Sequence, residues 1–103
     1  MTTYQRILEI TQKQADAAAA GDLNTALALQ APRGELIAAA PPATPADEPL
    51  IRATLELDRD IATAIRHRML EIRDEMLTTR RGQQAMAGYA GQQGSAARFN
   101  VGA

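Results

Sequence analysis

The sequence predicts an all-α protein: an antiparallel three-helix bundle, in which two shorter helices pack on one long helix, with a short labile C-terminal helical element. Three observations support this prediction. The 103-residue chain is rich in Ala, Leu, Arg, Gln and Glu and contains a single valine, Val101, which favours helix over strand. Apolar residues recur at helical spacing in three stretches. The longest stretch has neither Gly nor Pro in its interior.

The first helix is predicted over residues 3–20. Thr2 and Gln5 have the spacing of a capping box, in which each side chain satisfies a free backbone donor of the first turn. Gly21 is suited to end the helix in a left-handed conformation, and Asp22 to cap the next helix. The expected apolar stripe of this helix consists of Tyr4, Ile7, Leu8, Thr11, Ala15 and Ala18.

The second helix is predicted over residues 23–39. Pro32 and Gly34 interrupt its pattern, and an interior proline removes one hydrogen bond and costs about 3 kcal/mol, so a kink or break is expected there. Residues 40–48 are rich in proline and are expected to form an extended linker.

The third helix is predicted over residues 49–80, with acidic residues at its start and Arg80 and Arg81 at its end, as the helix dipole favours. Its inward stripe resembles a heptad seam interrupted by Asp58. This expected seam consists of Ile51, Leu55, Ala62, Ile65, Met69, Ile72 and Met76.

Beyond Gly82 the sequence is diluted by Gly, Gln, Ser and Ala. We therefore expect residues 1–81 to form the bundle and residues 82–103 a flexible regulatory tail that can form a short helix over 83–90. The aliphatic, Ala-rich core is small, which favours either a partner or a homodimer that covers the remaining apolar surface.

Composition excludes several classes of function. A net charge of −1 provides no field for nucleic acid or an anionic membrane, and no apolar run approaches the roughly 20 residues that insert into a bilayer. The chain has no cysteine and a single histidine, His67, between two arginines, which predicts neither a metal site nor a positioned general base. No catalytic residue and no cofactor are predicted, and a cytoplasmic protein that binds other proteins is the class that remains.

Two stretches resemble a known family. The corner Ala20-Gly-Asp-Leu23 is similar to the junction of the first two helices of the FliT flagellar export chaperones. The end of the third helix, residues 65–77 with Arg68-Met69, and the small-Tyr-small element Gly88-Tyr89-Ala90 also resemble that family, so the resemblance covers nearly the whole chain.

The resemblance implies a cytoplasmic chaperone that keeps the filament-cap subunit unassembled, delivers it to the flagellar export gate and contacts components of the export ATPase complex. It also implies that a C-terminal element folds over the binding surface and gates it. Alternatives are a chaperone of hook-associated proteins and a structural coiled-coil protein that only self-associates.

The candidate partner-binding surface lies near the end of the long helix, where an amphipathic partner helix can be received and where methionine adapts to irregular contacts. The same methionines are also consistent with burial in the bundle core. The predicted partner-binding residues are Met69, Leu70, Ile72, Met76 and Leu77, and the predicted gating residues are Met86 and Tyr89.

Overall fold

The computed structural model describes the backbone of residues 1–91 and the side chains of residues 1–84. Within that range the chain forms four α-helices and one 3-10 turn, and no strand, so the predicted all-α class is confirmed. The chain divides into two compact units, residues 1–68 and residues 69–103. The elements are α1 (Thr3–Ala19), α2 (Leu23–Ala28), α3 (Gln30–Ala38), the 3-10 turn Pro45–Asp47 and α4 (Glu48–Gly91).

Helix α1 begins with the predicted capping box. Thr2 N donates to Gln5 Oε1 at 2.8 Å, and Gln5 N donates to Thr2 Oγ1 at 3.2 Å. Its buried face follows the predicted stripe at Ile7, Thr11 and Ala18. The sequence pattern missed Gln14, which is only 3% exposed, because a polar side chain does not register in an apolar periodicity.

The corner between α1 and α2 also follows the sequence. Gly21 has a φ of +76°, the left-handed conformation that a residue with a Cβ rarely adopts. Asp22 caps α2, because its carboxylate accepts from Thr25 N at 3.1 Å and from Thr25 Oγ1 at 2.5 Å. These hydrogen bonds, first that of the Thr25 hydroxyl and then that of the Thr25 amide, lower the pKa of Asp22 below its ordinary value.

The predicted break in the second helix occurs earlier than expected. The break is at Leu29, between α2 and α3, whereas Pro32 and Gly34 lie inside α3. A proline ring clashes with the carbonyl four residues before it, so the disruption falls one turn upstream of Pro32, at the end of α2. Pro32 itself is in the first turn of α3, where its missing N–H has no partner to lose.

A polar cluster joins all four helices within residues 1–68. The Arg33 guanidinium on α3 donates to both carboxylate oxygens of Asp58 on α4, at 2.6 and 2.8 Å. Arg33 Nη1 also donates to Gln14 Oε1 on α1 at 3.1 Å, and Gln14 Nε2 donates to the Ala26 carbonyl on α2 at 3.0 Å. The cluster therefore sets how the helices of this unit are arranged around one another.

A hydrogen bond fixes the linker to the bundle. Tyr4 Oη on α1 donates to the Pro41 carbonyl at 2.5 Å. At the far end of the linker, Thr44 and Asp47 form a capping box in which Thr44 N donates to Asp47 Oδ2 at 2.8 Å. Helix α4 then begins at Glu48, with Pro49 in its first turn as predicted.

The inward face of α4 within residues 1–68 is rotated from the predicted seam. Thr54 is buried, whereas Leu55 is 56% exposed and Ala62 is exposed. The face is centred near Thr54 and Ile61, and Asp58 lies at its edge, about 40–60° away in projection, where it pairs with Arg33. The half-buried apolar residues of this face are Leu50, Ile51, Leu57, Ile61 and Ile65.

Within residues 69–103, α4 includes Gly82 and ends at Gly91, so residues 83–90, expected as a possible short helix, are helical as the continuation of α4 beyond Arg80. A glycine in a helix costs about 1 kcal/mol relative to alanine, which the flanking Arg, Gln and Ala residues offset. Among the described glycines only Gly21 has a positive φ. The part of the predicted tail from residue 92 onward lies outside the described residues.

Candidate protein-binding surface

A set of apolar side chains is exposed on α4 within residues 69–103. Met69 is 61% exposed, Leu70 53%, Met76 63% and Leu77 38%, and Ile72 is half-buried. These are the five side chains predicted to bind a partner, and we call them the 69–77 surface. Met69 and Met76 are therefore exposed rather than buried in a bundle core.

The helical periodicity brings these five side chains to one side of α4. At 100° per residue, Met76 lies about 20° from Met69, and Leu77 about 20° from Leu70, in projection down the axis. Ile72, Met69 and Leu70 together span an arc of roughly 160°. An exposed face of this width is broad enough for the apolar stripe of a second helix.

Two arginines lie within the arc of the 69–77 surface. Arg73 is about 40° from Met69 and about 60° from Leu70, and Arg80 follows Arg73 by seven residues on nearly the same line. Both are exposed. In the sequence these arginines look like part of a solvated face balanced by acidic residues. Their position on the helix shows instead that they lie between two apolar rows, one formed by Met69 and Met76 and the other by Leu70 and Leu77.

The predicted gating residues cannot be placed against this surface. Met86 and Tyr89 belong to the helical backbone of α4, but their side chains lie outside the described ones. Their proposed contact with the 69–77 surface therefore stays a prediction.

A separate apolar groove, which the sequence did not predict, lies within residues 1–68 between α1, the linker and α4. It is lined by Tyr4, Ile37, Pro41 and Leu55, with the Arg33–Asp58 pair at its polar side. The groove could not be found from sequence because it depends on the Tyr4–Pro41 hydrogen bond and on the rotation of α4.

The sequence was compared with known families once this arrangement was established. A model of the family described as flagellar protein FliT matches residues 1–92. The chain belongs to the FliT family. The match includes the Gly21–Asp22 corner, α1 to α4 and the whole 69–77 surface. Comparison with curated proteins and with solved structures finds no match.

FliT membership assigns the chain to a family of flagellar export chaperones rather than of enzymes. The expected class, a protein that acts on protein partners, follows from this membership. Within the described part of the chain, no helix is long and apolar enough to cross a membrane. Over the same residues, His, Asp and Glu side chains form no group of three or more that could hold a metal ion.

Proposed function

We propose that this FliT-family chain is a cytoplasmic chaperone that binds the filament-cap subunit through the 69–77 surface and holds it unassembled before flagellar export. The observation that carries the proposal is the exposure of Met69, Leu70 and Met76 on one side of α4. A group of neighbouring exposed apolar side chains is more typical of a protein-binding site than a single exposed apolar residue is.

The occupant that best fits this face is an amphipathic helix of the cap subunit. A helix buries apolar residues at three- and four-residue spacing, and the paired rows of the 69–77 surface offer the matching arrangement. Met69 and Met76 add flexible side chains that accommodate an irregular partner surface. Binding here covers apolar surface of the cap subunit that otherwise drives its assembly.

The proposal includes contacts with components of the export ATPase complex, for which family membership is the support. Purified ATPase components are to be tested against the chaperone alone and against its complex with the cap subunit. Binding by either form supports this part of the proposal, and binding by neither contradicts it.

The proposal also includes a gate, in which the C-terminal element with Met86 and Tyr89 competes for the 69–77 surface. Closed and open states need to differ by only a few kcal/mol for such competition to regulate binding. A chain truncated after Arg81 is expected to bind the cap subunit more tightly than the full chain. Unchanged or weaker binding would contradict the gate without affecting the assignment of the surface.

The central test is calorimetric titration of the chain with recombinant filament-cap subunit. The double variant Met69→Asp, Met76→Asp places charge in both ends of one apolar row and is expected to weaken binding about 30-fold or more, corresponding to about 2 kcal/mol. Leu27→Asp is the matched control, because Leu27 is 66% exposed on α2, in the other unit. Equal affinity of the double variant and the control would refute the surface.

The same purified proteins also test two competing functions. A hook-associated subunit that binds in place of the cap subunit would identify a different export client. A dimer by sedimentation, with no affinity for either subunit, would identify a structural coiled-coil protein instead.

A further inference from the structure

The centre of the 69–77 surface carries positive charge with no acidic residue close to it on the helix. Among residues 69–84, Asp74 is the nearest carboxylate in projection, about 100° around the helix from Arg73, and Glu71 and Glu75 lie about 160° away on the opposite side. Within the described residues, neither Arg73 nor Arg80 takes part in an ion pair.

No acidic residue follows Glu75 in the sequence. All 12 acidic residues of the chain lie at or before Glu75, whereas Arg80, Arg81 and Arg98 follow it. Positive charge is therefore concentrated where the apolar rows are exposed, and negative charge lies before it or on the opposite side of α4.

This arrangement restricts which partner can cover the surface. A purely apolar helix laid over Met69, Met76 and Leu77 would remove water from Arg73 and Arg80 without replacing its hydrogen bonds, which is costly for a charged group. A helix with carboxylates facing the two guanidinium groups would instead form charge-assisted, often bidentate hydrogen bonds. The aliphatic stems of the arginines would still pack against the apolar residues of the partner.

We propose that the 69–77 surface selects an amphipathic helix that carries two acidic residues one heptad apart within its apolar stripe, facing Arg73 and Arg80. The proposal rests on the proposed function of this surface and specifies the chemistry of its occupant. Arg73 and Arg80 are separated by about 10.5 Å along α4, the rise of seven residues, so acidic residues seven apart on a nearly parallel or antiparallel helix fall into register with them.

The test uses three synthetic peptides that share one apolar stripe and are held helical by a lactam bridge on the opposite face. Two positions seven residues apart carry Glu in the first peptide, Gln in the second and Lys in the third. The full chain is expected to bind the Glu peptide roughly five- to twentyfold more tightly than the Gln peptide, since each partly exposed ion pair contributes a fewfold. The Lys peptide is expected to bind most weakly, and the differences should shrink at high salt.

The variant Arg73→Gln, Arg80→Gln is expected to bind the Glu and Gln peptides equally while retaining affinity for the Gln peptide. Arg59→Gln is the matched control, because Arg59 is an exposed arginine of α4 in the other unit, and it should keep the full preference. The reversed variant Arg73→Glu, Arg80→Glu should prefer the Lys peptide.

Equal binding of the Glu and Gln peptides to the unmodified chain would overturn the acidic preference, as would failure of all three peptides to bind. Neither result refutes the proposed function, which is read separately from the effect of Met69→Asp, Met76→Asp on the cap subunit. If that double variant binds the cap subunit normally, the surface itself is misassigned.

Discussion

Removal of Asp58 should destabilise the helical unit of residues 1–68 more than removal of any exposed acidic residue. The Arg33 side chain is 12% exposed and that of Asp58 is 35% exposed. In Asp58→Ala the nearly buried guanidinium keeps Gln14 Oε1 as an acceptor but loses both carboxylate oxygens. The Nε of Arg33 is already buried without a hydrogen-bond partner among the described residues, so no further acceptor is available to replace the lost carboxylate.

The expected magnitude lies between two limits. Breaking a fully buried ion pair costs about 3–5 kcal/mol, and breaking an exposed one costs about 0.2–1 kcal/mol. Because Asp58 is one-third exposed, water can reach part of the site, and we expect Asp58→Ala to lower the free energy of unfolding by about 2–3 kcal/mol. For a domain of this size that loss lowers the thermal midpoint by roughly 10–20 °C.

The partner substitution should cost less. Arg33→Met fills most of the space of the arginine stem and leaves behind a carboxylate that solvent can hydrate, so a loss of about 1–2 kcal/mol is expected. The double variant Arg33→Met, Asp58→Ala should therefore be no less stable than Asp58→Ala alone, because it removes the guanidinium that would otherwise be stranded.

Urea unfolding followed by circular dichroism measures these differences, and the double-mutant cycle isolates the coupling between the two side chains. Asp60→Ala is the control, since it removes the same charge from an exposed position two residues along α4 and should change stability by less than about 0.5 kcal/mol. The reasoning fails if Asp58→Ala and Asp60→Ala are equally stable, or if the double variant loses the sum of the two single effects.

Further predictions concern the glycines and the α2 cap. Gly21→Ala should lower the free energy of unfolding by about 1 kcal/mol because of the positive φ. Gly34→Ala should raise the free energy of unfolding by about 1 kcal/mol, because an added Cβ meets nothing within 4 Å and alanine favours helix. Thermal unfolding of the two variants distinguishes these opposite effects. In Gly82→Ala the added Cβ also meets no neighbour, and the substitution strengthens α4. If the gate closes by bending at Gly82, this variant should favour the open state and raise the affinity for the cap subunit up to about fivefold, as measured by calorimetry. Unchanged affinity would exclude a hinge at Gly82. The pKa of Asp22 is lowered in the folded chain, so its cap contribution is present above its ordinary pKa of about 4 and is lost as pH falls through the lower folded value. Asp22→Asn should keep the cap and abolish this acid dependence of the unfolding midpoint, and an unaltered pH profile would argue against the assigned cap.

The sequence by itself determined the local features of this protein. The capping box at Thr2, the left-handed Gly21, the Asp22 cap and the start of α4 beside Pro49 all depend on contacts between residues close in the chain. Their physical causes, hydrogen bonds to the first turn and the conformational limits of Gly and Pro, act without tertiary contacts. The all-α class and the family resemblance follow from the same kind of local pattern.

Only the tertiary structure decided which side of α4 faces the bundle. Asp58 interrupts the apolar seam in the sequence, yet it forms an ion pair with Arg33, 25 residues away in the chain, at the edge of the buried face. The buried face within residues 1–68 passes through Thr54 rather than through Leu55, which is 56% exposed. The residues of the 69–77 surface could be predicted from sequence, but the rotation of α4 within residues 1–68 depends on packing and on a pairing between distant charges, which periodicity cannot register.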